Sequence, residues 1–215
     1  MGRKVWLALL LILLLSGCGN STEETEKTAA DPPTQAEETL PAAETAALRT
    51  AQVEADARPL TEEELLAAYD RAVRVYSWFD LSPLATTGEG VEADGALYRM
   101  VDVRGLYDLE DLRNDLRAVF SEDVTEQLLA AGGDRPLYRD IDGALYGRGS
   151  GREKDPYKGA VQIQTEQVGE TAYAVDVMVD LLDDDQVTVT GVECWSFPYV
   201  FENGRWVFTE FSLVY

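Results

Sequence analysis

Tyr173, Val175, Val177, Val179 and Leu181 take every second position of one stretch. Side chains on a strand point alternately to two faces, so this pattern predicts a β-strand with one face in a core. Such a strand needs paired neighbours and a cover. Val161 to Val168 reads as a strand turning at Gly169-Glu170. Asp183-Asp184-Asp185 turns the chain into a long strand from Val187 to Phe201, with an interruption expected near Pro198. Asn203-Gly204 is a tight hairpin signal leading into Arg205-Trp206-Val207-Phe208 and on to Tyr215. Upstream, Leu137 to Ile141 and Ala144 to Tyr146 flank Asp142-Gly143, a second two-residue hairpin signal, and a short strand is predicted at Leu97 to Val101. Gly147 to Gly159 joins the two halves as a loop.

Helical signals come first along the chain. Thr61-Glu62-Glu63-Glu64 is a capping box, and Leu60 and Leu65 flank it at staple positions. Leu65, Tyr69, Ala72, Val73, Tyr76 and Phe79 follow helical spacing, and Pro83 lies beyond the end. Trp78 falls off that stripe and is expected to cover a second packed surface. Asp108 caps a helix with Leu109, Leu112, Leu116 and Val119 inward. Ser121 caps another with Val124, Leu128 and Leu129 inward, ended by Gly132-Gly133. Helices followed by an antiparallel meander predict an α+β domain over residues 60–215, its N-terminal helices packed on one β-meander sheet.

The first residues carry an address. Met1-Gly2-Arg3-Lys4 is basic, Val5 to Leu15 is apolar without a break, and Leu15-Ser16-Gly17-Cys18 follows. The run is shorter than the ~20 residues a spanning helix needs and fits a signal peptide over residues 1–17. The small residues before Cys18 form a lipobox-like ending, so Cys18 is the expected lipid attachment point, and multiple acyl chains would anchor the chain stably in a membrane. Residues 18–59 follow as an acidic tether rich in Ala, Thr, Glu and Pro. Too poor in apolar side chains to offset its ordering entropy, it is expected to be disordered.

Composition narrows the chemistry. The chain carries a net charge of −22, which argues against nucleic acid and against anionic headgroups as partners and favours a cationic protein surface. It contains no His, which removes Ser-His-Asp and Cys-His catalysis and the commonest transition-metal ligand. With Cys18 lipidated, Cys194 has no disulfide partner, and its mid-strand position predicts a buried, inert thiol. Asp140-Ile141-Asp142-Gly143 lacks the further oxygens a calcium loop needs. Gly147-Arg148-Gly149-Ser150-Gly151-Arg152 has no following helix to hold a phosphate. Trp195, Trp206, Phe208 and Phe211 are expected in the core, and no pair of acids stands out as a hydrolytic dyad. Neither a cofactor nor a metal is expected, and an enzymatic role is not. Arg148, Arg152, Lys154 and Lys158 gather in one loop, expected to be mobile and solvated unless it touches a partner.

Two segments, Leu137 to Tyr146 and Phe197 to Phe211, taken with Trp78-Phe79 and Val119-Phe120-Ser121 in that order, resemble the IseA-type family of DL-endopeptidase inhibitors over roughly residues 61–215. The closing hairpin alone also resembles NTF2-like domains. The inhibitor resemblance implies an extracytoplasmic protein that sterically blocks papain-like peptidoglycan hydrolases, needing no catalytic residue of its own. The expected contact element is the 138–148 hairpin, with Tyr138 and Tyr146 as anchors, Asp140 and Asp142 facing groove cations, and Gly143 and Arg148 completing the set. The NTF2-like alternative implies a ligand-binding or envelope-assembly module with a deep apolar pocket between helices and sheet.

Overall fold

The computed structural model describes residues 57–215. The signal segment, Cys18 and the tether up to residue 56 lie outside the described residues. Helix α1 spans Glu62–Ser77, α2 Leu109–Arg117 and α3 Glu122–Ala130. Strands β1 (Thr86–Ala93), β2 (Ala96–Val101), β3 (Tyr138–Ile141) and β4 (Ala144–Gly147) precede β5 (Lys158–Gly169), β6 (Ala172–Leu182), β7 (Val189–Glu202) and β8 (Arg205–Phe208). The domain is α+β as the sequence predicts, but its strands form two antiparallel four-stranded sheets, ordered β1-β2-β4-β3 and β5-β6-β7-β8. The second sheet is the predicted meander. The first arises because β2 pairs with β4, opposing Met100 to Tyr146, and because β1, which shows no apolar alternation, adds to β2 through an Asp94-Gly95 turn.

All three helix starts are capped from within. The Thr61 hydroxyl accepts from the Glu64 N–H, and the Glu64 carboxylate accepts from the Thr61 N–H at 3.0 Å. Asp108 and Ser121 accept from Asp111 and Val124 in the same way. On α1 the buried stripe is Leu65, Tyr69, Ala72 and Val75. Val75 joins the predicted stripe, three residues on from Ala72, while Val73, Tyr76 and Phe79 are partly buried against the same core.

β6 is the centre of the meander. Val175, Val177 and Val179 are 0% exposed, and they oppose Thr165, Ile163 and Val161 on β5 and Phe197, Trp195 and Glu193 on β7. Above them, aromatic rings fill the layer: Tyr69 on Phe197, Phe211 on Phe197 at 4.7 Å between centroids, and Phe120 on Phe211. Pro198 does not interrupt β7, because it stays in register with Ala174. Its carbonyl accepts from Thr209 N–H, so the edge that lacks an N–H faces the end of the short β8, where no further ladder bond is required. The free edge of β8 is covered in turn: Ser121 N–H donates to the Phe208 carbonyl, and Phe208 N–H to that of Val119.

Cys194 corrects the expectation of burial. It is exposed, because it opposes Met178 on the face of the meander away from the helices, one residue out of phase with Trp195.

Truncating Leu116, which is 0% exposed, is expected to cost about 2–5 kcal/mol, measured as a lower urea midpoint by circular dichroism. Acid sensitivity should have a component at the α1 cap. The Arg58 guanidinium, and after it the Thr61 N–H, hold the Glu64 carboxyl at about 2, below its ordinary 4.5. The unfolded chain takes up this proton first as pH falls, so the contribution is complete above about 4.5 and disappears toward about 2. Glu64→Gln should flatten the stability profile over that window.

Candidate partner-binding surface

The β3–β4 hairpin turns at Asp142 and Gly143, whose φ angles are 56° and 79°. Both lie in the left-handed region that a two-residue type I′ turn demands, which Asp tolerates and Gly favours. Asp140 completes the turn by accepting the Gly143 N–H at 2.8 Å through Oδ1. Asp140, Asp142 and Gly143 are exposed, as their expected contact role requires, and Tyr146 is half-buried opposite Arg139 and Met100.

Two members of the expected contact set hold the hairpin in place from behind. Tyr138 is 2% exposed, so it is no surface anchor. Its hydroxyl donates to the Trp78 carbonyl at 2.7 Å and accepts the Leu84 N–H at 2.8 Å. Burial pushes that hydroxyl up to about 12 against the opposing effect of the Leu84 N–H, so it stays a donor throughout the neutral range. The ring meets Phe79 edge-on at 5.1 Å and lies over Gly147, where an added Cβ would come within 3.0 Å of Cε1. Arg148 is half-buried, and its Nε donates to the carbonyls of Arg135 at 2.9 Å and Pro136 at 3.1 Å. Its guanidinium is committed to closing the base of the hairpin. Tyr138 and Leu145 share one face of the hairpin and meet the core, while Asp140, on the same face opposite Leu145, is exposed because it sits at the turn end beyond the core.

Tyr107, which the sequence reading did not single out, completes this surface. It is 68% exposed, yet its backbone is fixed on both sides: its N–H donates to Asp111 Oδ2 at 2.9 Å, and its carbonyl accepts Leu145 N–H at 2.7 Å. A large exposed ring on a backbone bonded to β4 suits an interface anchor. The available signal was its position outside every apolar stripe, just before the Asp108 cap. Met100, 43% exposed and paired with Tyr146, adds apolar area on the same strands.

The basic loop is not free. Arg152 donates to Asp80 Oδ1 at 2.7 Å and to the Tyr215 carbonyl at 2.8 Å, and Lys158 pairs with Glu193. Gly151 packs so closely on the Leu81 carbonyl that no side chain fits there. Trp78, half-buried against the core, takes the covering position expected of it. Where the NTF2-like reading expects a deep apolar pocket, the rings of Tyr69, Phe120, Phe197 and Phe211 occupy the layer between helices and meander. Among the described residues no cluster of His, Cys, Asp and Glu is arranged to hold a metal ion, and no helix is long and apolar enough to cross a membrane.

Tyr138→Phe should leave the Leu84 N–H and the Trp78 carbonyl without their buried partner, at a cost of about 1–3 kcal/mol. Amide hydrogen exchange should then speed up across Tyr138 to Gly147 more than across the β5–β8 meander.

No protein-family model matches the chain, and neither does any curated protein sequence.

Proposed function

We propose that this chain is an extracytoplasmic lipoprotein, held to the membrane through Cys18, that inhibits papain-like peptidoglycan DL-endopeptidases by filling their substrate groove. The observation that carries the proposal is an exposed β3–β4 turn tied to the domain by buried Tyr138 and by Arg148, with exposed Tyr107 held through its backbone to Leu145 on β4. A blocker gains affinity when its contact element is ordered before binding, because little conformational freedom is then lost on association. Two carboxylates at the turn, Asp140 and Asp142, suit a groove rimmed by cations. The reading asks for no catalytic residue, and the absence of His from the sequence accords with it. A lipid anchor confines the inhibitor to hydrolases within tether reach, roughly 35–40 Å for a flexible chain of this length.

The test is digestion of wall substrate by a purified DL-endopeptidase with the chain in molar excess. Stoichiometric loss of cleavage is expected. Tyr107→Ala should weaken inhibition by tenfold or more, as for an interface anchor worth about 2 kcal/mol. Asp142→Asn keeps the turn geometry and removes one charge, so it should weaken inhibition more at low salt than at high. Undiminished digestion at high excess rejects the proposal.

A further inference from the structure

The meander carries a second surface, at the edge formed by β5. A sheet edge presents a row of unpaired N–H and C=O groups, and folded proteins blunt such edges by shortness, charge, bulges or cover. The other edges of the two sheets are blunted. β8 is covered by the segment from Val119 to Ser121. β3 is 4 residues long. β1 shifts register between Thr87 and Val91, has Gly88 at a φ of 75°, and carries Glu89 and Glu92. β5 has none of these devices along its middle. It is 12 residues long and keeps an unbroken register with β6 from Val161 to Gln167. From Gly159 to Gly169 its one charged residue is Glu166. Among the described residues, no backbone group outside β6 bonds to the stretch from Val161 to Gln167.

Strand pairing fixes which residues face the open side. Successive residues of a strand send their N–H and C=O groups to opposite neighbours. The Pro198 carbonyl accepts from Thr209 N–H, so Pro198 and Ser196 face the β8 side, and Phe197 and Trp195 face β6. Carried across β6 through the Val175–Phe197 and Asp176–Gln164 pairs, this alternation turns Gln162, Gln164 and Glu166 toward β6. Val161, Ile163, Thr165 and Gln167 therefore present their backbone groups to the open edge. These positions are symmetric about Gln164. An antiparallel copy of the same strand centred there pairs Val161 with Gln167 and Ile163 with Thr165, from both sides of the axis, and each pair exchanges both backbone bonds. A shift by two residues either way leaves one position without its counterpart. The acid causes no clash in this register, because Glu166 lands opposite Gln162 and not opposite itself. A net charge of −22 opposes association of like copies through most surfaces, and this edge is where that opposition is weakest.

We propose that the chain forms a two-fold symmetric dimer in which β5 pairs antiparallel with β5 of a second copy, joining the two meanders into one continuous sheet. The pairing does not rest on the inhibitory reading, since the β3–β4 hairpin belongs to the other sheet.

The experiment is sedimentation equilibrium on the full chain, with Cys18→Ser and Cys194→Ser so that no native thiol contributes. A concentration-dependent species of twice the 23.7 kDa chain mass is expected. Thr165→Pro removes an N–H that faces the open edge and leaves the β5–β6 ladder intact; it should weaken the dimer about tenfold or more, since symmetry deletes two backbone bonds. Gln164→Lys is the second variant should Thr165→Pro not fold. It sets two like charges face to face at the axis and should weaken the dimer several-fold. Register is read by oxidation: Gln164→Cys should give a disulfide-linked dimer, because the two copies of this position lie opposite each other, and Gln162→Cys should not. The proposal is overturned if the chain stays monomeric up to millimolar concentration, if a dimer survives both Thr165→Pro and Gln164→Lys, or if Gln162→Cys cross-links as readily as Gln164→Cys.

Discussion

One hydroxyl joins the two halves of this domain. Tyr138 begins the hairpin, yet its ring is buried and its oxygen bridges the carbonyl at the end of α1 and the N–H of Leu84 ahead of β1. The small sheet has limited core of its own: β1 is exposed along nearly its whole length. Its placement depends on what β3 and β4 send inward, Tyr138 and Leu145, into the core that also holds Val175, Val177 and Val179. A short hairpin alone is marginal in water. Here the buried hydrogen bonds and ring contacts of Tyr138 tie its base to the core.

The same constraint separates structural from exposed residues. Tyr138 and Leu145 meet the core near the base of the hairpin, while Asp140 and Asp142 stand at its turn end and stay in solvent. Arg148 closes the base on backbone carbonyls, and the 147–159 segment is tied down by Arg152 and Lys158. The cations of this acidic chain that gather in one loop are therefore mostly spent on internal contacts. The acidic turn, with Tyr107 beside it, is left as the surface best suited to another protein.

The meander was legible because β6 is a central strand with one face under the helices, so its alternation is strict. The three helices were legible through their caps, Thr61, Asp108 and Ser121, which act locally. β1 was not, because an exposed edge strand needs no apolar face: Thr86 to Ala93 offers only Val91 as a large apolar residue. Division into two sheets was hidden for the same reason, since pairing of β2 with β4 is a long-range choice that local pattern does not encode. Cys194 was misplaced by its general tendency to be buried, although its phase relative to Trp195 and Phe197 pointed outward. On the candidate surface, the turn residues were readable from Asp142-Gly143. The inward role of Tyr138 was not, because a Tyr on a short strand carries no mark of which face it takes.

The central claim is a contact element ordered before it meets a partner. Amide hydrogen exchange on the full chain, alone and mixed with a purified DL-endopeptidase, tests it most directly. In the free chain the β3–β4 amides should exchange slowly, and on mixing, new protection should be confined to the turn around Asp140 to Tyr146 and to the Tyr107 region. Fast exchange of the free turn, or a mixture whose pattern matches the free chain, would contradict it.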